Sequence, residues 1–175
     1  NGNQLTTVTE PSGLIKFSEV GVAASVNSGT SDLQSAWADY DADGDLDLYV
    51  GGDAGNVLYD NDNDGTFTDA NIVLLEDTGT ARAVLWADFD NDGDLDLFVS
   101  NHGSTNKLFR NDGGATFTDH STASNVHDSG AGSGAAWGDF DGDGDLDLYA
   151  ARESSTGNQL YSNDGDGTFT YVGGN

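Results

Sequence analysis

The 175-residue sequence has no cysteine, no methionine, a single proline and only five lysine or arginine residues. Without cysteine, the chain can form no disulfide, no thiolate metal site and no cysteine nucleophile. Since methionine is missing even at position 1, we expect a processed or trimmed product, from which any signal peptide is already gone. No apolar run approaches the roughly 20 residues that a transmembrane helix needs.

The shortage of basic residues leaves the 31 acidic residues uncompensated, with a formal net charge of −26. Nucleic acids and anionic membrane surfaces both attract basic proteins, so the charge argues against either partner. A bound cation is the natural partner of such a chain. The 25 glycines are typical of many short strands joined by tight turns.

Two segments recur along the chain. The first occurs as WADYDADGDLDLYV at 37–50, WADFDNDGDLDLFV at 86–99 and WGDFDGDGDLDLYA at 137–150. The second follows each copy, at 56–70, 106–120 and 158–172. Residues 1–30 contain a degenerate copy of the second segment and no copy of the first. We therefore predict a single domain over 1–175 with half a blade at 1–30 and blades at about 31–80, 81–130 and 131–175.

Each repeat is expected to contain four short strands. In the middle repeat these are 83–87, 95–100, 107–111 and 116–120, and the second of them alternates apolar faces with period two. Four short strands per 50 residues or so are typical of a β-propeller blade, with a β-sandwich as the alternative. The predicted fold is all-β, a partial β-propeller of about three and a half four-stranded blades.

The segment 86–99 contains five aspartates at alternate positions, beginning with Asp88. Counted from Asp88 as position 1, Gly93 is at position 6. Carboxylates about 4 Å apart repel by roughly 4 kcal/mol per pair, so this spacing calls for a compensating cation. Calcium takes six to eight hard oxygen ligands, magnesium prefers fewer protein ligands, and transition metals prefer His or Cys. We predict about three Ca²⁺ ions, bound between the first and second strands of the blades. The candidate metal residues are Asp39, Asp41, Asp43, Asp45, Asp47, Asp88, Asp90, Asp92, Asp94, Asp96, Asp139, Asp141, Asp143, Asp145 and Asp147.

These loops differ from an EF-hand or dockerin loop. Counted from its first acid, such a loop needs a bidentate acid at position 12 and a following helix. Counted from the first aspartate of each loop, position 12 here is Val50, Val99 or Ala150, each in a predicted strand. A further acidic run, Asp60–Gly65, lacks this register in the other repeats. We interpret it as a hairpin turn rather than a fourth ion site.

With the motifs W-x-D-[FY]-D-x-D-G-D-L-D-L and N-x-L-[FY]-x-N-D-x-D-G-T-F, the chain resembles the FG-GAP/VCBS repeats of integrin-α-like propellers. The resemblance implies Ca²⁺ ligation by Asp39, Asp41, Asp43 and Asp47, by the carbonyl of Asp45, and by the equivalent residues of the other loops. It also implies a secreted or cell-surface location. Members include adhesins, sugar-binding lectins and non-catalytic parts of enzymes.

Complete propellers of this type have about seven blades, so this chain alone is not expected to close a ring. It is then a fragment of a longer polypeptide, or it associates with copies of itself, or its N-terminal hairpin at about 3–20 caps a neighbour. Uncapped strand edges favour pairing, and non-closing contacts give filaments. We expect self-association.

The remaining polar residues give no catalytic constellation. His102, His120 and His127 do not follow the repeat, and neither a G-x-S-x-G nor a G-x-G-x-x-G motif occurs in its structural context. The periodic tryptophans at 37, 86 and 137 are expected to pack between blades, with a sugar-stacking platform as the alternative. We expect no enzyme activity and no catalytic residue.

The sequence therefore predicts a non-enzymatic, calcium-stabilised extracellular module for adhesion, scaffolding or self-assembly. One alternative is a carbohydrate-binding lectin of the same fold, with a glycan as its ligand. The other is a non-catalytic fragment of a larger secreted enzyme. The loops that precede the tryptophans differ between repeats and are the expected places for ligand contacts.

Overall fold

The computed structural model describes Val26 and residues 32–53, 55–126, 129–153 and 157–173. This part of the chain is all-β, with twelve strands, a single 3₁₀ turn at Val73–Leu75 and no α-helix. Apart from Val26, the half blade predicted at 1–30 lies outside the described residues. Among the described residues, no helix has the length and apolarity that would be needed to cross a membrane.

The strands form three four-stranded antiparallel sheets, each in sequence order. The first blade contains β1 Asp32–Ala38, β2 Asp47–Gly52, β3 Asn56–Asn61 and β4 Phe67–Asp69. The second contains β5 Thr80–Ala87, β6 Asp96–Thr105, β7 Lys107–Asn111 and β8 Phe117–Asp119. The third contains β9 Ser129–Gly138, β10 Asp147–Arg152, β11 Gln159–Asn163 and β12 Phe169–Gly173.

The strands of the second blade fall where the repeat predicts them. The main difference is at the end of β6, which continues to Thr105 and pairs with the start of β9, with His102 opposite Ala131 and Thr105 opposite Ser129. The second and third blades therefore share main-chain hydrogen bonding as well as side-chain packing.

Alternation along each strand gives a blade two apolar faces. In β6, Leu97 and Val99 pack with Tyr49 of the first blade, whereas Phe98 packs with Leu148 of the third. We call the side that faces the following blade the forward face. Its equivalent residues are Tyr40, Tyr49 and Leu58 in the first blade, Phe89, Phe98 and Leu108 in the second, and Phe140, Tyr149 and Leu160 in the third.

Two of the three repeated tryptophans pack between blades. Trp86 meets Tyr49 edge-on, with ring centroids 6.2 Å apart, and Trp137 meets Phe98 in the same way at 6.1 Å. Trp37 differs, because 55% of its surface is exposed. The prediction of inter-blade packing is thus confirmed for Trp86 and Trp137. For Trp37 it stays a prediction, since the half blade predicted before it lies outside the described residues, apart from Val26.

Antiparallel order places two connections of every blade at the same end. The β1–β2 loop and the β3–β4 hairpin are both at one end of the first blade, and the same holds for the other two blades. The acidic run at 60–65 forms that hairpin turn, where the N–H of Asp62 donates to the carbonyl of Thr66 over 3.0 Å, as predicted.

Candidate metal centre

The three aspartate loops, 39–47, 88–96 and 139–147, connect the first and second strands of the blades. Each turns sharply at a glycine with φ near +100°, namely Gly44, Gly93 and Gly144. Because side chains are strained in this region of backbone space, glycine is the favoured residue there. The glycine N–H donates to the first aspartate of its loop, over 3.2 Å to Asp39 and 3.1 Å to Asp88. The loop is thereby folded over its own first carboxylate.

This folding brings three carboxylates of each loop together. In each group, ligand oxygens lie within 4.8 Å of one another. The groups are Asp39, Asp41 and Asp43 in the first loop, Asp88, Asp90 and Asp96 in the second, and Asp139, Asp141 and Asp147 in the third. These three acidic clusters could hold metal ions.

The other six predicted aspartates lie in the same loops but outside these clusters: Asp45, Asp47, Asp92, Asp94, Asp143 and Asp145. Several of them shape the loop. The side chain of Asp92, for example, accepts the N–H of Asp94 over 3.0 Å. Asn91 donates its amide to the Asp145 carboxylate over 2.8 Å, which places the second and third loops side by side. The role of all fifteen residues as metal ligands stays a prediction.

The last aspartate of each loop ties the loop to the blade. Asp96 is 1% exposed, and its two oxygens accept the N–H of Phe89 over 2.9 Å and that of Asn111 over 2.8 Å. Asp47 and Asp147 make the same pair of bonds with their own blades. A buried carboxylate thus fixes both the start of the loop and the end of the third strand.

Burial of Asp47 and Asp96 disfavours the ionised form of both carboxyl groups. It raises the pKa of Asp96 to about 7 and that of Asp47 to about 6, although the N–H groups of Asn111 and Asn61 oppose the shift. Burial and then the neighbouring Asp92 also raise the pKa of Asp90. Without a cation, full ionisation of these groups at neutral pH therefore carries an electrostatic cost.

The carboxylate oxygens that have no hydrogen-bond partner in the loops suit a hard cation. Asp39 Oδ1, Asp45 Oδ1 and Asp90 Oδ1 are shielded from solvent and have no hydrogen-bond partner among the described residues. A buried, unpartnered carboxylate oxygen is costly unless something positive contacts it. Oxygen donors of this kind suit calcium or magnesium better than a transition metal.

Sequence reasoning missed the asparagine that ends each third strand. Asn111 donates its amide to the carbonyl of Tyr40 over 2.8 Å, and Asn163 donates to the carbonyl of Phe89 over 2.7 Å. Each of these cross-blade asparagines therefore joins its own loop to the aspartate loop of the preceding blade. The repeated asparagine is visible in the sequence, but its turn-like context hides this role.

The histidines have no common role. His120 lies between blades, beside the Phe89 ring and 2.9 Å from the carbonyl of Gly167. His102 is exposed, and His127 lies outside the described residues.

Comparison with known proteins agrees with this architecture. The model of the FG-GAP-like repeat matches the chain three times, at residues 39–99, 88–150 and 139–175. Each of the first two matches begins at the first aspartate of one loop and ends just after the next loop. The chain belongs to the FG-GAP-like repeat family.

One solved structure similar to this FG-GAP-like repeat chain is a lectin from Agrocybe aegerita, described as recognising non-reducing terminal N-acetylglucosamine. The similarity has a TM-score of 0.55 at 24% sequence identity and covers 83% of this chain. It supports the fold. This chain spans 40% of the length of the lectin. No curated protein sequence matches the chain.

Proposed function

We propose that this chain is a non-enzymatic, extracellular FG-GAP-like repeat module whose aspartate loops bind Ca²⁺. The observation that carries the proposal is the repetition of one arrangement three times, each time with converging carboxylates. A divalent cation would supply the positive charge that these carboxylates otherwise lack. The chain supplies the rest, since the last aspartate and the glycine turn hold the donors in place before any ion arrives.

Calcium would act on stability. A ligand that binds only the folded state stabilises it by about 1.4 kcal/mol when present at tenfold its Kd. Three such sites would add about 4 kcal/mol, a large share of the stability of a typical domain. Extracellular calcium sites have a Kd of about 10⁻⁴ to 10⁻³ M, which matches a millimolar environment.

The direct test is thermal unfolding of the protein in millimolar calcium and after chelation, with magnesium as a comparison. We expect calcium to raise Tm by more than magnesium does, and we expect Asp90→Asn to remove part of the gain. Since Asp119 is paired with Lys107 outside the loops, Asp119→Asn serves as the control and should leave the calcium-dependent gain unchanged. An identical Tm with calcium and with chelator would refute the proposal.

The module would act by docking, through the forward face of its third blade. In the third blade, Phe140 is 50% exposed and Tyr149 is 41% exposed, whereas their equivalents in the second blade, Phe89 and Phe98, are fully buried by the third blade. The two internal interfaces indicate what covers such a face, namely a blade that presents a tryptophan. Trp37, at 55% exposure, is the tryptophan available for that contact. We assign a second copy of this chain as the occupant.

This contact is heterologous, so it can be tested with two complementary variants. Tyr149→Asp disables the forward face, and Trp37→Asp disables the opposite side of the first blade. In calcium, sedimentation should show that the unmodified chain associates as its concentration rises and that each variant alone is monomeric. Mixed together, the variants should form a one-to-one dimer. An unmodified chain that stays monomeric would refute docking, and dimers of Trp37→Asp alone would refute this pairing.

Carbohydrate binding is the second candidate, favoured by the lectin-like fold and by exposed Trp37, which contacts Phe67 with ring centroids 5.9 Å apart. Tryptophan faces are common platforms for apolar and amphipathic ligands. A glycan array that includes terminal N-acetylglucosamine, run with the unmodified chain and with Trp37→Ala, tests this candidate. Binding that Trp37→Ala abolishes would support it, and the lack of any signal would exclude it.

A further inference from the structure

The three aspartate loops are nearly identical in sequence, but the hairpins beside them are not. We call residues 60–65, 110–115 and 162–167 the flanking hairpins, since each lies at the same end of its blade as the aspartate loop. Their sequences are DNDNDG, RNDGGA and SNDGDG. Counting Asp as −1 and Arg as +1, they carry formal charges of −3, 0 and −2, respectively.

The hairpins differ most in charge at one position. That position lies one residue before the asparagine that contacts the aspartate loop. Asp60, Arg110 and Ser162 are equivalent, and each precedes the asparagine whose N–H binds the last aspartate of its loop. That bond is 2.9 Å from Asn61 to Asp47 and 2.8 Å from Asn111 to Asp96. A carboxylate, a guanidinium and a hydroxyl are therefore carried by equivalent strand positions, one residue before the asparagine that contacts each loop.

The electrostatic coupling follows the same pattern. Burial first, and then the charges of Asp41 and Asp43, raise the pKa of Asp60. In the second blade, the charge of Arg110 interacts favourably with Asp90, one of the three clustered carboxylates of that loop. Arg110 also pairs with Asp112 of its own hairpin. This ion pair compensates part of the charge of Arg110, but not all of it.

We infer that the three loops bind divalent cations with graded affinity, the first most tightly, the third next and the second most weakly, because of the charge of the flanking hairpins. This inference rests on the proposed calcium binding and deepens it. A unit charge within about one Debye length of a divalent ion changes its affinity by about two- to fivefold. The flanking residues would thus spread one repeated loop over a range of calcium concentrations.

The intact chain contains one reporter for each loop. The N–H groups of Gly44, Gly93 and Gly144 donate to the first aspartates of their own loops over 3.2, 3.1 and 3.2 Å. Cation binding at that aspartate changes the environment of the glycine amide. In a ¹⁵N-glycine-labelled protein, a calcium titration followed by NMR should therefore give a separate midpoint for each loop. We expect the midpoints to rise in the order Gly44, Gly144, Gly93.

Two substitutions test the cause. Arg110→Gln should lower the Gly93 midpoint by about two- to fivefold, and Asp60→Asn should raise the Gly44 midpoint by a similar factor. Lys107→Gln is the matched control, because Lys107 lies at the other end of the same strand and pairs with Asp119. It removes the same charge as Arg110→Gln but should leave the Gly93 midpoint unchanged. Salt at about 1 M should compress the differences between loops.

The outcomes separate the two proposals. If no glycine resonance responds to calcium, the proposed calcium binding fails. If all three respond at one midpoint, or in another order, calcium binding stands and the graded affinity is refuted. An Arg110→Gln effect that Lys107→Gln reproduces would refute the local cause, since net charge alone would then explain it.

Discussion

Replacement of the phenylalanine at the second position of the aspartate loop tests how the blades hold together. Phe89 and Phe140 are equivalent residues of the second and third loops, and the N–H of each donates to the last aspartate of its own loop. Phe89 is fully buried and its ring lies within 6.4 Å of both Trp137 and Phe169, whereas Phe140 is 50% exposed. The two sites thus share loop chemistry and differ in packing.

Phe89→Ala should lower the free energy of unfolding by about 3–5 kcal/mol, because it leaves a cavity between two blades. Phe140→Ala should cost about 1 kcal/mol or less at low protein concentration, since much of its ring is already in water. Urea unfolding of both variants in saturating calcium measures these losses. At micromolar concentration or below, equal losses would show that inter-blade packing does not distinguish the two sites, and the account of the forward face would be wrong. A Phe140→Ala cost that grows with protein concentration would instead report docking of a second copy.

Three further predictions address the asparagines, calcium and pH. Asn111→Ala should destabilise the protein by about 1–3 kcal/mol in urea unfolding, because it leaves the buried Tyr40 carbonyl without this donor. Asn61→Ala should cost less, since its amide donates only to Leu46 within the described residues; equal costs would argue against a cross-blade role. Chelation should speed cleavage by a protease in proportion to the calcium-dependent stability, and rates unaffected by chelator would contradict a structural role for the ion. In chelator, the raised pKa of Asp96 should make the protein more stable at pH 5 than at pH 8, the contribution being lost as pH rises through about 7. Asp96→Asn should flatten that profile, and a stability that increases with pH in chelator would contradict it.

The repeat itself made most of the fold predictable. Its period of about 50 residues placed four strands per blade. The period-two alternation around Phe98 correctly assigned Phe98 and its neighbours in the strand to opposite faces of the sheet. The loop spacing located the acidic clusters between the first and second strands. Local periodicity and turn chemistry carry this information, so one sequence is enough to read it.

Contacts between distant parts of the chain were not predictable. Asn111 bonds to a carbonyl 71 residues earlier and Asn163 to one 74 residues earlier, and nothing in the local pattern encodes those separations. The clusters also differ in detail: the first includes Asp43, whereas the second includes Asp96. This difference depends on side-chain orientation, which a repeated sequence does not specify. Similarly, an exposed Tyr149 and a buried Phe98 have the same place in the repeat, and only the presence of a following blade distinguishes them.

The cross-blade asparagines have a direction, and that direction matters during synthesis. Each donates backward, to a carbonyl that left the ribosome about 70 residues before it. The second and third blades therefore find their acceptors already in place, and neither of these two bonds depends on a segment still to be translated. Vectorial folding from the N-terminus, one blade at a time, is the order that this polarity favours. An array of such units can lengthen by gene duplication at its C-terminal side without disturbing the hydrogen bonds of the blades already present.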